Sequence, residues 1–167
     1  MRVQADPQAG GTVEVRGAGT LLGTGTLSNG RATVRLGDTA LAAGTHTLEV
    51  VYLGSDTVAG SQTTVDVRVV KTVSQVRAEV TSPEVVVNRT RSRVRVNVAA
   101  EGLQPDGPVI LRSGGRVLGE AVVQNGTVVL RLDTFSTVGV KTVSVRYLGD
   151  DNVRSSSSTF RVRVVRR

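Results

Sequence analysis

The oxygen-rich run Gly149-Asp150-Asp151-Asn152 is the first candidate for chemistry in this chain. Two carboxylates and an amide at adjacent positions are the hard ligands Ca²⁺ prefers, although a full shell takes six or more oxygens. The stretch 95 positions earlier reads Gly54-Ser55-Asp56-Thr57, which offers fewer. Asp and Asn also bond their own backbone in tight turns. A solvated turn is therefore the competing reading, with metal ligation by Asp150, Asp151 and Asn152 as the alternative.

The second candidate is basic. Net charge is +7, and of 21 Lys and Arg residues only Lys71 and Lys141 are lysine. Arg93 and Arg95, spaced two apart, line one side of an extended segment; Arg161 and Arg163 line another. Arg112 and Arg146 join the latter pair if the strands pair as in a standard sandwich. Such rows suit phosphates or acidic glycans. Scarce aromatics argue against stacking on nucleic-acid bases. The competing reading is a solubilising surface that blunts strand edges, in an Arg-rich composition of the kind a high-GC genome produces.

Other reactive types lead nowhere catalytic. No cysteine occurs, which excludes disulfides, thiolate metal sites and cysteine nucleophiles. His46 is the only histidine and has Lys141 at the equivalent position 95 residues on; a polar tip over a packed stem accounts for both. A Lys141 isopeptide cross-link finds no Asn or Asp in the last strand segment, 159–165. Tyr52 and Tyr147, each followed by Leu-Gly, read as buried anchors whose hydroxyls find a partner near the rim. The serine run 155–158 reads as a flexible turn. No enzyme activity and no cofactor are expected.

The elements that position these residues come in two copies. Residues 44–71 recur as 139–166, and 11 of the 19 positions in 52–70 match 147–165, including Tyr-Leu-Gly and a final Val-Arg-Val-Val. Such a match is an internal repeat, dividing the chain into 1–72 and 73–167. The apolar share is 39% but aromatics are 2%, so the core is aliphatic, mainly Val and Leu. Valine's branched Cβ favours strands over helix. Period-two alternation marks Val13 and Val15, Ala32-Val34-Leu36, His46-Leu48-Val50-Tyr52 and Val65-Val67-Val69 as inward-facing sets. Asn29-Gly30 and Asn125-Gly126 sit where type I′ hairpins need two residues at positive φ.

The second copy starts with strands over 76–82 and 84–87, separated by Pro83, which suits an edge. The first copy lacks a counterpart of about twenty residues before Arg93. Its opening strand, residues 1–6, is left with an open backbone edge and an uncovered flank of core. A fragment of a longer repeat array explains this; the alternative is a strand donated there by another chain. Residues 71–74 are too few for a flexible linker, so a semi-rigid pair of modules is expected.

Short strands at regular spacing without a helical pattern argue for a β-sandwich. The lines Gly-Thr-Val-x-Val, Leu-Leu-Gly, Asn-Gly-x-Ala-x-Val and Ala-Gly-Thr-His-Thr-Leu-x-Val-x-Tyr-x-Gly-x-Asp resemble, in order and spacing, the bacterial immunoglobulin-like (Big-type) repeat domains. The second copy departs at Pro108, Val140 and Lys141. The resemblance implies an all-β fold of two tandem immunoglobulin-like β-sandwiches, the first lacking its N-terminal strand. It implies a non-catalytic spacer in a larger bacterial secreted or cell-surface protein, working beside that protein's other domains. The alternative is an adhesion module engaging an acidic glycan, cell-wall polymer or partner protein through loops or arginine faces. An extracellular location follows from the resemblance. No apolar h-region opens the chain and no run nears the ~18 apolar residues of a spanning helix, so neither a signal peptide nor membrane insertion is expected within it.

Overall fold

A computed structural model describes residues 1–4, 10–37 and 40–166, and every described element is a strand or a turn. The chain divides into two compact units, Met1–Val70 and Lys71–Arg167.

Among the described residues the first unit holds six strands: β1 (Arg2–Gln4), β2 (Gly11–Gly17), β3 (Thr20–Leu27), β4 (Arg31–Thr33), β5 (Gly44–Tyr52) and β6 (Ser61–Val69). A four-stranded sheet runs β3-β2-β5-β6, and β1 pairs with β4 in a second, two-stranded sheet. Of the strand expected over 1–6, residues 5 and 6 lie outside the described residues. The alternating apolar positions of both sheets point at one another. Val13, Val15, Leu27, Ala32, Val34, Leu48, Val50 and Tyr52 form the buried cluster.

The second unit holds eight strands: β7 (Ser74–Val80), β8 (Glu84–Val86), β9 (Arg93–Ala100), β10 (Gly107–Ser113), β11 (Arg116–Val123), β12 (Thr127–Arg131), β13 (Gly139–Tyr147) and β14 (Ser156–Val165). They form a five-stranded sheet, β11-β10-β13-β14-β8, and a three-stranded sheet, β12-β9-β7. β9 to β14 repeat β1 to β6 one for one. The extra twenty residues supply β7 and β8, which lie in different sheets: β7 pairs antiparallel with β9, and β8 pairs parallel with β14. Pro83 falls at the crossing, where its carbonyl accepts the Arg163 amide at 2.7 Å.

Both Asn-Gly turns close as the sequence predicts. Asn29 and Gly30 have φ of 52° and 69°, and Asn125 and Gly126 have 50° and 77°. Each turn sits where the chain passes from one sheet to the other.

Two expectations are corrected. Val65, placed inside by alternation, is 36% exposed, and Val67 and Val69 are only half-buried. Nothing equivalent to β7 lies over them among the described residues. The serines at 156–158 are not a turn but the first residues of β14, paired with Tyr147, Arg146 and Val145. A small hydroxyl side chain fits at Ser156 because β7 closes over it: Ser74 Oγ lies 2.7 Å from Ser156 Oγ and 2.7 Å from Arg154 O. The segment before β7 is also bonded within the second unit. Thr72 N donates to Asn152 O and Lys71 Nζ to Asp150 O.

Candidate functional site

β13 ends at Tyr147, and the next three residues turn the chain at the rim of the second sandwich. Tyr147 is fully buried, and its hydroxyl lies 2.6 Å from Asp106 O and 2.8 Å from Asp150 Oδ2. Asp150 Oδ1 accepts from the backbone N–H of Asn152 at 2.8 Å and of Val153 at 2.7 Å. Oδ2 also accepts from Asp106 N at 3.1 Å, while Asp106 Oδ1 accepts from Asn125 N at 2.9 Å. Two carboxylates, Asp150 and Asp106, thus tie together the loops after β9, β11 and β13. Asp151, next to Asp150, is exposed.

The titration of this cluster follows from its bonds. Burial pushes the Asp150 carboxyl up, but donors from Asn152, Tyr147, Asp106 and Val153 outweigh it and hold the group below its ordinary value. Burial pushes the Tyr147 phenol up, and the bond and charge of Asp150 and the charge of Asp106 add to the shift. Near neutral pH the pair is a phenol bonded to a carboxylate, which locks a turn and does not exchange protons. Asp106 escapes sequence reasoning because 44 residues separate it from Asp150. The one local sign was an Asp next to the Gly107 that opens β10.

That glycine is required by close approach. Gly107 has φ +117°, and a Cβ there would come within 2.8 Å of Gly149 O; the equivalent Gly11 has φ +113° and would meet Gly54 O at 2.5 Å. Both repeats therefore seat the Tyr-Leu-Gly turn against the start of the second strand of their core motif.

All six arginines singled out by the sequence are exposed, but they do not form one group. The register puts Arg112 opposite Ser144, Ile110 opposite Arg146, Thr142 opposite Arg161 and Val140 opposite Arg163. Arg112, Arg146, Arg161 and Arg163 therefore share the outer face of the five-stranded sheet. Arg93 and Arg95 stand on the outer face of the other sheet, Arg93 opposite Arg131 and Arg95 opposite Glu79. The four-arginine face also carries Val140 and Val122, 66% and 58% exposed.

His46 and Lys141 hold matching posts. His46 Nε2 donates to Ala42 O at 2.8 Å, and Lys141 Nζ donates to Thr137 Oγ1 at 2.8 Å, each reaching back four residues. Among the described residues no three His, Cys, Asp or Glu side chains gather as a metal-ligand set.

Fibronectin(III)-like modules of Clostridium thermocellum CbhA share 17% identity, with 99% of this chain and 85% of that one covered and a TM-score of 0.46. A β-glycosidase from Bacteroides vulgatus shares 11% identity over 92% of this chain but only 21% of its own, with a TM-score of 0.43. The chicken CNTN1 FN1–FN3 domains share 13% identity over 95% and 55%, with a TM-score of 0.37. No curated protein matches the chain in sequence. The family model for the bacterial Ig-like domain (group 3) matches twice, over residues 1–70 and 79–165. With both repeats matched, the chain belongs to the bacterial Ig-like domain family.

Proposed function

We propose that the two repeats are a non-catalytic spacer segment of a larger bacterial secreted or cell-surface protein. One observation carries this reading: the interiors are largely aliphatic, and apart from the two tyrosines, whose hydroxyls are bonded, the only buried polar residues among the described ones are Ser74 and Ser92. Both are bonded, Ser92 Oγ to Ser82 O at 3.2 Å and Ser74 as above. An interior whose buried polar groups are few and, Ser158 Oγ apart, bonded stabilises itself and leaves chemistry to neighbouring domains. Family membership supports the same reading, since bacterial Ig-like domains are generally structural or binding modules, usually outside the cell. No helix among the described residues is long and apolar enough to cross a membrane.

Four arginines on one sheet face favour a second reading, adhesion to an acidic glycan or cell-wall polymer. A polyanion array probed with the whole chain separates the two. The spacer gives no saturable binding. Saturable binding that falls steeply with salt and is lost in Arg161→Gln/Arg163→Gln would replace it with the adhesion reading.

A further inference from the structure

The two repeats build the same sheet and give its outer face opposite charge. In the first, β2, β5 and β6 turn Glu14, Glu49 and Asp66 outward, since Val13, Val15, Leu48 and Val50 between them are buried. The cations on that face are Arg16, opposite Glu49, and Arg68, opposite Thr45. In the second, the matching strands β10, β13 and β14 turn out Arg112, Arg146, Arg161 and Arg163. Position by position, Asp66 gives way to Arg161, Val51 to Arg146, Glu49 to Ser144 and Glu14 to Ile110. The layer beneath keeps its kind: Val15, Leu48 and Val50 answer to Leu111, Val143 and Val145, all buried. Folding asks only that the outer residues tolerate water, so the change of sign is not needed to build the sheet.

Much of this charge is unmatched within its own repeat. Arg16 bonds the Glu14 carboxylate through Nε at 3.0 Å and Nη2 at 2.7 Å. Asp66 Oδ1 accepts only the Thr47 hydroxyl, at 2.7 Å. Among the described residues neither Glu49 nor Asp66 forms an ion pair, and neither do Arg112, Arg146 and Arg161. Each face also leaves aliphatic groups uncovered. Leu21, opposite Arg16, is exposed on the first as Val122 and Val140 are on the second.

A copy of the chain carries the complement of each face. Two first-repeat faces bring acids toward acids, and two second-repeat faces bring arginines toward arginines. The first against the second sets Glu49 and Asp66 among arginines, and like-charge juxtaposition is avoided. The β3-β2-β5-β6 sheet has strands of seven to nine residues; at about 4.8 Å between strands its face is on the order of 500 Å². A pair of such faces buries about 1,000 Å², the size of a transient complex.

We propose that the outer face of the first repeat's four-stranded sheet docks on the four-arginine face of the second repeat in another copy of the chain. The two surfaces differ, so the contact is heterologous. Copies of a spacer adhere to one another in this way without any further ligand, and the docking needs only the two faces, not the spacer reading.

Sedimentation velocity on the full chain, over a concentration series, tests the docking. Weak, reversible self-association is expected at low salt and fades as salt rises. Asp66→Arg and Arg161→Asp each weaken it at least tenfold. Mixed together, the two variants regain a 1:1 complex, because one keeps its arginine face and the other its acidic face. Recovery on mixing separates lost docking from lost folding. Should either reversal lower a transition in calorimetry, Asp66→Asn and Arg161→Gln repeat the series and are expected to show the same loss and recovery. A chain that stays monomeric at low salt overturns the proposal. Association that salt does not weaken, or that only one of the two variants weakens, also overturns it, since the two faces would not then be each other's partners. So does a mixture that fails to recover the complex.

Discussion

Strands β6 and β14 end in the same four residues, Val-Arg-Val-Val, at 67–70 and 162–165. Yet Val162 and Val164 are 0% and 2% exposed, whereas Val67 and Val69 remain half-buried. The side chains are identical and pair with the same strand of their own repeat. What differs is the layer above and the edge beside: β7 crosses β14, and β8 continues its sheet. Burial here belongs to the neighbours, and a valine's worth is set by whether a second sheet reaches it.

The widest gap this comparison predicts is between Val162→Ala and Val67→Ala. The first removes a fully enclosed branch and leaves a cavity, at a cost of about 2–3 kcal/mol. The second deletes a branch that still meets solvent and costs under about 1 kcal/mol. Calorimetry on the full chain, following the transition of the affected repeat, reads both. Equal losses would break the comparison.

The turn after the Tyr-Leu-Gly motif sharpens it. Asp150 Oδ1 accepts from Asn152 N and Val153 N at 2.8 Å and 2.7 Å, whereas Ser55 Oγ accepts from Thr57 N and Val58 N at 3.4 Å and 3.2 Å. A charged acceptor makes the shorter, stronger bonds. Asp150→Ala is expected to cost about 1.5–3 kcal/mol and Ser55→Ala about 0.5–1 kcal/mol. The sign with pH follows from the lowered carboxyl of Asp150. Its contribution is complete above the ordinary carboxylate value near pH 4 and is lost as pH falls through the lower folded value. Acidification below about pH 4 therefore lowers the second repeat's transition more than the first's, and Asp150→Asn removes that difference. EDTA is expected to move neither transition; a downward shift of the second would assign Asp150 to a cation.

The smallest effect lies in the β2–β3 turn. Ala18 has φ 48°, where the second repeat has Gly114 at 56°. Ala18→Gly relieves a left-handed Cβ and is expected to stabilise the first repeat by about 1 kcal/mol; Gly114→Ala does the reverse to the second. Urea midpoints of the two single variants check the pair.

Local signals in the sequence foretold much of this. The Asn-Gly pairs, the alternating valines and the 95-residue echo place twelve of the strands, because hairpin chemistry and side-chain alternation are written in adjacent residues. The segment before Arg93 reads as extra strand, but its division between two sheets does not, since β8 finds β14 about eighty positions away. For the same reason the serine run looks like a turn until Ser74 closes over it. The Tyr147 hydroxyl was expected to find a rim partner and does, but Asp106 as that partner depends on a loop brought in by the fold. The arginine rows obey alternation strand by strand; only the pairing register shows that four share a face and two turn away.

Residue-resolved hydrogen exchange on the intact chain tests most directly the claim that the second sandwich is closed where the first is open. In the second repeat, Arg163 N is bonded to Pro83 O and Arg95 lies opposite Glu79 of β7. The account predicts slow exchange at both amides and fast exchange at their counterparts, Arg68 and Arg2. Matching protection at Arg2 and Arg95, and at Arg68 and Arg163, in the unbound monomer would contradict it.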